Sequence, residues 1–264
     1  MHSLSDKIVV LTGSYGFLGS IMALGLGDLG ASLILIGRDA SKLEKQRQDL
    51  EKKNISIVDI IACDLSQESC LANLDFSHFD RIDALINNAA VPGRFNTNMD
   101  SAEMMKALSD NYKVNVIAPT ILSFKLAEKM FEDQEKNQYP SIINVGSIYG
   151  NIAPNSDMYD GEVSVNPLDY GMSKSALHHS SKYLSMEFSN RGIRVNTLVV
   201  GPFPHSDVIL KHPDFAKRLA NRTSMKRIGS PTDLIGPIAY LISSGSKYMT
   251  GSMLVVDGGW LAKS

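Results

Sequence analysis

Tyr170-Gly171-Met172-Ser173-Lys174 sets a phenol and an ammonium four residues apart, so on a helix both project from one face. Free tyrosine, with a pKa of about 10, is a poor acid or base at neutral pH. An ammonium about 5 Å away, at an effective dielectric of ~20, favours the phenolate by roughly 3 kcal/mol, or about two pKa units. A phenol so placed can do general acid–base work. Of the nine tyrosines in the chain, only Tyr170 has a lysine at this spacing. Helix-face pairing also produces Tyr-x-x-x-Lys by chance, so the pair needs company. Ser147 offers it: the residue follows the apolar run Ile142–Val145, and its hydroxyl could donate to a carbonyl oxygen as charge builds there. Gly146-Ser147 also reads as a plain turn.

A second constellation lies near the start. The run Ile8–Leu11 leads into Thr12-Gly13-Ser14-Tyr15-Gly16-Phe17-Leu18-Gly19 and then an apolar helical stretch. Glycines at 13, 16 and 19 permit a sharp turn and close approach of backbone to a pyrophosphate, which the following helix would meet with its free N–H groups. About twenty residues further on, an acid would bind the adenosine ribose of NAD. Here the second strand ends Ile36-Gly37-Arg38-Asp39, with Gly37 where that acid usually stands. The Arg38 guanidinium suits the 2′-phosphate of NADP, a contact worth about 1.5–3 kcal/mol. Alternatively Arg38 is solvated and Asp39 caps a helix, or Asp39 turns inward and accepts NAD. NADP(H) is the favoured cofactor and NAD(H) the runner-up.

These residues must be held by something. Runs rich in Ile and Val recur at Ile8–Leu11, Leu33–Ile36, Ile57–Ile61, Ala84–Ile86, Ile142–Val145, Val195–Val200 and Leu254–Val256. They do not alternate with polar residues, as befits strands buried on both faces. Helical stretches fall between them, such as Phe17–Leu29, Ser41–Lys53, Ser101–Phe131 and Tyr170–Asn190. The expected architecture is α/β: a doubly wound parallel sheet (Rossmann fold) of about seven strands, helices on both faces, with ligands beyond the carboxyl ends of the strands. No linker composition divides the 264 residues, so residues 1–264 are read as a single domain.

A net charge of -2 argues against a general binder of nucleic acid or membrane. The first apolar run is too short for a signal peptide, and none is long enough to span a membrane, so a soluble cytoplasmic protein is expected. Cys63 and Cys70, seven apart, fit no metal-ligand or redox spacing and read as small core residues. His178 and His179 are adjacent, so they diverge by about 100° on a helix and cannot share a metal. No metal site is expected.

Taken together, the chain resembles the short-chain dehydrogenase/reductase family over nearly its whole length. The resemblance rests on the Thr12–Gly19 loop, Asp64, Asn87-Asn88-Ala89-Ala90, Asn115 in Val114-Asn115-Val116, and Ser147 with Tyr170 and Lys174. It extends through Gly192-Ile193-Arg194-Val195-Asn196, Gly201-Pro202 and Asp257-Gly258-Gly259-Trp260. It implies hydride transfer between a nicotinamide and a carbonyl/alcohol pair. Tyr170 would be the proton donor or acceptor, Ser147 would orient the carbonyl, and Lys174 would hold the nicotinamide ribose and lower the tyrosine pKa. Asn115 would support a proton-relay water. The cofactor would be held by Gly13, Ser14, Tyr15, Gly16, Phe17 and Leu18, with Arg38, Asp64, Leu65, Asn88 and Ala89. Tyr170, Lys174, Gly201 and Phe203 would complete its nicotinamide side. A homotetramer or homodimer is implied, built on the long helices and the C-terminal strand.

Three features depart from the family pattern. Phe17 stands where single-domain members usually have the middle glycine. Val200 replaces a proline before Gly201, and His205 with Ser206 stands where a threonine often meets the carboxamide. Ser147 and Tyr170 are 23 apart, about ten more than usual, which makes an insert of about 151–169 carrying Asn155, Asp157, Asp160, Glu162 and Asn166. That insert, behind Ser-Ile-Tyr-Gly, resembles the reductases of bacterial flagellin-modification and nonulosonic-acid gene clusters.

A lid is expected over about 203–227. Between His205 and Arg227 six Lys or Arg face two acids, a local net of +4, which either attracts an anionic substrate or is an ordinary solvated helix face. The reading is a reductase or dehydrogenase for a polar small molecule, anionic or sugar-derived. The alternatives are 3-oxoacyl thioester reduction and a cofactor-binding scaffold without chemistry.

Overall fold

The Ile- and Val-rich runs pair as seven parallel strands. The computed structural model describes residues 3–133, 138–159 and 163–263. The first half runs β1 (Ile8–Thr12), α1 (Phe17–Asp28), β2 (Ser32–Gly37), α2 (Ala40–Glu51), β3 (Ile57–Ala62), α3 (Glu68–Ala72), β4 (Ala84–Asn87) and α4 (Ser101–Tyr112). The second runs α5 (Ala118–Ala127), β5 (Ser141–Ser147), α6 (Leu168–Glu187), β6 (Arg194–Val200), α7 (Ser206–Lys211), α8 (Pro213–Arg222), α9 (Ile235–Ile242) and β7 (Met253–Val256). The sheet order is β3-β2-β1-β4-β5-β6-β7, so the winding reverses between β1 and β4. The doubly wound sheet expected from the sequence is present.

Strand periodicity explains the two layers. Val9, Leu11, Leu33 and Leu35 point to one face, against Met22 and Leu26 of α1, Leu43 of α2 and Ile238 of α9. Val10, Ile34 and Ile36 point to the other, against Leu122 and Leu126 of α5 and Leu184 of α6. Both faces are dry, so neither set of positions tolerates a polar residue.

Two boundaries differ from the sequence reading. The long helix expected over Ser101–Phe131 ends at Ala127, and a π turn at Lys113–Ile117 separates α4 from α5. Nothing in Lys113-Val114-Asn115-Val116-Ile117 breaks a helix locally; the bulge is set by what Asn115 bonds. Helix α6 begins at Leu168, behind Pro167, and ends at Glu187.

The cysteine reading needs correction. Cys63 and Cys70 do pack on the core, but they are paired as a disulfide with Cα atoms 5.8 Å apart. Helix α3 brings Cys70 back to the end of β3, a proximity invisible in the spacing alone.

A third apolar cluster joins the segment after β5 to the one after β6. Ile148 and Met158 meet Phe215, Leu219 and Trp260, so α8 is packed down onto the 148–159 stretch. Asp160 and Glu162 lie outside the described residues.

Candidate active site

Helix α6 carries Tyr170 and Lys174 on the face that meets the carboxyl end of β5, where Ser147 is the last strand residue. Ser147 is buried; its Oγ accepts from Tyr149 N at 3.2 Å, and the same side chain acts on the Tyr170 phenol. The Lys174 ammonium lies 5.7 Å from the Tyr170 ring centre and donates to the Val145 carbonyl at 2.8 Å. Burial pushes the Lys174 pKa down to about 8. The lowered tyrosine pKa expected from Lys174 is not what results: burial raises that pKa, and the Ser147 side chain works against the rise. Tyr170 is therefore a neutral phenol at physiological pH, a proton donor in waiting.

Asn115 sits in the π turn, fully inside. Its Oδ1 accepts from Val91 N at 2.9 Å, and Nδ2 reaches the Val91 carbonyl at 3.1 Å and Ser173 Oγ at 3.0 Å. This side chain locks the segment after β4 to α6. A π turn rotates one residue out of helical register, which is how Asn115 reaches both.

The glycine-rich turn, the ends of β2 and β3, and the segment after β4 enclose a cleft of about 470 Å3. It is lined by the expected Gly13, Tyr15, Gly16, Phe17 and Leu18, and on the far side by Arg38, Asp64, Leu65, Asn88 and Ala89. Gly13 has φ +63°, and a Cβ there would come within 2.9 Å of the Ala89 backbone, so the residue must be glycine. Thr12 ties the two walls together, its Oγ1 accepting from the backbone N–H groups of Asn88 and Ala89 at 3.0 Å each. Helix α1 opens at Gly16 with no side-chain cap, leaving its first N–H groups to face the cleft.

At the far end, Asp39 caps α2, accepting from Lys42 N at 3.1 Å, and is not part of the cleft wall. Arg38 is part of it, and its charge helps hold the Asp64 carboxyl below its usual pKa, after the hydrogen bonds from Ser66. Tyr15 explains Gly37: a Cβ on residue 37 would lie 2.4 Å from the Tyr15 ring.

Five expected cofactor residues, Ser14, Tyr170, Lys174, Gly201 and Phe203, do not line this cleft. Ser14 is turned inward, donating to Gln46 Oε1 at 2.8 Å while Gln46 Nε2 donates back to its carbonyl at 2.7 Å. Gly201 packs on the backbone of Asp257, and Phe203 on Gly229, both away from the cleft wall. In the basic segment 203–227, Arg218 bonds the Met158 carbonyl, Arg222 bonds the Lys263 carbonyl, and Arg227 pairs with Asp233. These contacts tie the segment to the rest of the fold.

Sequence reasoning missed several contributors. Asn87 and Asn144, side by side on β4 and β5, are bonded at 2.8 Å, and Asn144 passes on to Ser181 of α6 at 2.8 Å. Asp169, next to Tyr170, is completely buried and accepts from the backbone N–H groups of Arg94, Phe95 and Tyr170. Tyr149 and Tyr159 share a 2.8 Å hydrogen bond between hydroxyls.

Known proteins of the same pattern exist. Residues 18–261 match the family model described as enoyl-(acyl carrier protein) reductase. The chain is 32% identical to the 3-oxoacyl-[acyl-carrier-protein] reductase of Rickettsia bellii, over 99% of both chains. It is 25% identical to the post-translational flagellin modification protein A of Campylobacter coli, over 97% of this chain and 99% of that one. The crystal structure of a gluconate 5-dehydrogenase from Burkholderia cenocepacia with NADP and tartrate superposes with a TM-score of 0.83 at 22% identity, covering 99% of this chain and 98% of that one.

Proposed function

The chain belongs to the short-chain dehydrogenase/reductase family, an oxidoreductase of the CH–OH/C=O type using NAD(P), and from that premise we propose that it reduces the carbonyl of a polar, sugar-derived substrate with NADPH. The observation that carries the reading is the grouping of three buried side chains at the end of β5: Ser147 acts on the Tyr170 phenol, and the Lys174 ammonium lies 5.7 Å from the same ring. Two donors converge there on the point where a carbonyl oxygen would gain charge. Tyr170, neutral because it is buried, gives that oxygen its proton. Ser147 donates a second hydrogen bond to the same oxygen. Lys174 keeps a positive charge beneath the pair, and Asn115 fixes the segment after β4 against α6. When bound, the nicotinamide supplies the hydride.

The cleft fits a dinucleotide: a glycine with left-handed φ, an uncapped helix start and walls stapled by Thr12. Arg38 in the wall, with Asp39 occupied as a helix cap, supports the 2′-phosphate form. Tyr149, Tyr159 and Asn166 line up polar groups behind Ser147, which suits a hydroxylated substrate better than an acyl chain.

The second reading is reduction of 3-oxoacyl thioesters, favoured by the 32% identity to the Rickettsia bellii enzyme. NADPH consumption with L-xylulose, 5-dehydro-D-gluconate, a nucleotide ketosugar and acetoacetyl-coenzyme A separates the two. Turnover of the thioester alone selects the second reading. Tyr170→Phe should abolish turnover while leaving NADPH binding nearly intact; a variant as fast as the parent would defeat both, and leave a scaffold.

Assembly as a homotetramer or homodimer belongs to this proposal. Met105, Ile117 and Phe124 along α4–α5, Met172 and Met186 on α6, and Met253 and Val255 on β7 are exposed apolar side chains on two faces. Light scattering after size exclusion tests it. A small molecule is the partner; nucleic acid and membrane are not, and among the described residues no helix is long and apolar enough to cross a membrane. The proposed location is the cytoplasm.

A further inference from the structure

The stripe of α6 that carries Tyr170 and Lys174 continues one turn on to His178, which the reading above does not use. His178 is buried, and its ring lies between Gly146 and Gly150, the two glycines that bracket Ser147. A Cβ on Gly146 would come to 2.3 Å from Nε2, and one on Gly150 to 2.5 Å from Cε1, so both positions have given up a side chain to admit the imidazole. Nε2 accepts a hydrogen bond from the Ser147 backbone N–H at 3.3 Å. That N–H lies at the end of β5, where the ladder to β6 gives out at the pair Ser147 and Val200.

We propose that His178 is a positioning residue: as a neutral acceptor it fixes the backbone of Ser147, and so aims the Ser147 hydroxyl at Tyr170 and at the substrate oxygen. The proposal rests on the reading of Ser147 and Tyr170 given above. To accept at Nε2, the ring must carry its one proton on Nδ1. Its surroundings enforce neutrality: burial, with the Lys174 and Lys182 ammonium groups nearby, holds the His178 pKa down at about 4. A protonated ring would turn a donor toward the Ser147 N–H and release it.

The consequence is readable at Tyr170. The Ser147 hydroxyl pulls the phenol pKa down. If His178 aims that hydroxyl, removing the acceptor must let the phenol pKa climb further. His178→Leu removes it, and His178→Gln puts an amide oxygen at similar reach. The Tyr170 pKa is followed by 13Cζ NMR in the full-length protein saturated with NADP+, with Tyr170→Phe assigning the resonance. His178→Leu should raise the pKa by about one unit, and His178→Gln should bring it back near the parent value. With 5-dehydro-D-gluconate or acetoacetyl-coenzyme A, whichever is turned over, kcat of the Leu variant should fall at least tenfold with KM for NADPH unchanged.

An unshifted Tyr170 in a folded His178→Leu protein overturns the proposal, since a filler of space between two glycines would lower Tm and leave the phenol alone. Equal shifts in Leu and Gln overturn it too, because an acceptor would then not be what matters. If Ser147→Ala and Tyr170→Phe keep full turnover, the underlying assignment fails instead, and the two failures are distinct.

Discussion

Phe17 and His205 stack on each other, ring centroids 4.8 Å apart and planes tilted by 50°. Each departs from the family pattern at its own position, and the contact shows the departures to be one feature. Phe17 belongs to the glycine-rich turn and lines the cleft; His205 caps α7, accepting from Asp207 N at 3.3 Å. The ring pair therefore joins the turn that would hold a pyrophosphate to the start of α7. Aromatic pairs of this kind contribute about 0.5–1.5 kcal/mol. Phe17→Ala should speed amide hydrogen exchange across Ser206–Lys211 by roughly three- to tenfold in the ligand-free protein. Unchanged protection would mean that α7 is held without the ring contact, by the cluster around Phe215 and Trp260.

Cofactor choice turns on two neighbours with different duties. Arg38 faces the cleft and Asp39 caps α2, so the variants should separate cleanly. Arg38→Ala should lower kcat/KM for NADPH tenfold to a hundredfold, about 1.5–3 kcal/mol of lost phosphate contact, with little effect on NADH. Asp39→Ala should cost about 1 kcal/mol of stability as a lost helix cap, without a change in NADPH-to-NADH preference. Steady-state kinetics with both cofactors and a urea melt check the pair. An Asp39 variant that loses NADH activity would restore the reading in which this acid serves NAD.

The frame of this site was legible because its causes are local. Ile- and Val-rich runs mark strands buried twice over, and glycines at 13, 16 and 19 mark the turn. The parts that were not legible depend on partners far away in sequence. Asn115 reads as mid-helix until Val91 and Ser173 are seen to bond it, 24 and 58 residues away. Ser14 looked like a phosphate ligand because its partner, Gln46, sits on the next helix. The sign of the Tyr170 shift was missed for a related reason: spacing gives the charge four residues on, but burial depends on everything packed around the ring.

Lys174 should be a liability to the ligand-free fold. Its pKa is about 8 when folded, against 10.5 for a lysine in the unfolded chain, so the unfolded state binds the proton more tightly. Stability therefore rises with pH between those two values and carries the full penalty below the lower one, roughly 3 kcal/mol. Lys174→Met abolishes turnover but should melt higher than the parent at pH 6.5, with the advantage shrinking toward pH 10. Loss of the Val145 hydrogen bond offsets part of the gain. A Lys174→Met protein that melts lower at every pH would argue that this bond outweighs desolvation.

Asp169 ties the loop after β4 to the helix that bears Tyr170. Its two oxygens accept from Arg94 N at 3.0 Å, Tyr170 N at 3.1 Å and Phe95 N at 3.4 Å, and Gly93 is bare because a Cβ would sit 2.2 Å from Oδ1. In Asp169→Asn the amide nitrogen must face at least one of these donors. That leaves buried N–H groups unpaired, at about 1–3 kcal/mol, and the midpoint of urea unfolding should fall accordingly. The loop it holds begins with Val91 and Pro92, which line the cofactor cleft, so KM for NADPH should rise together with the loss of stability. Gly93→Ala should do the same from the other side of the contact. Because both substitutions break one interaction, the double variant should be little worse than either single one, whereas two independent defects would add. Full additivity in the unfolding free energies would therefore show that Gly93 and Asp169 do not act through each other.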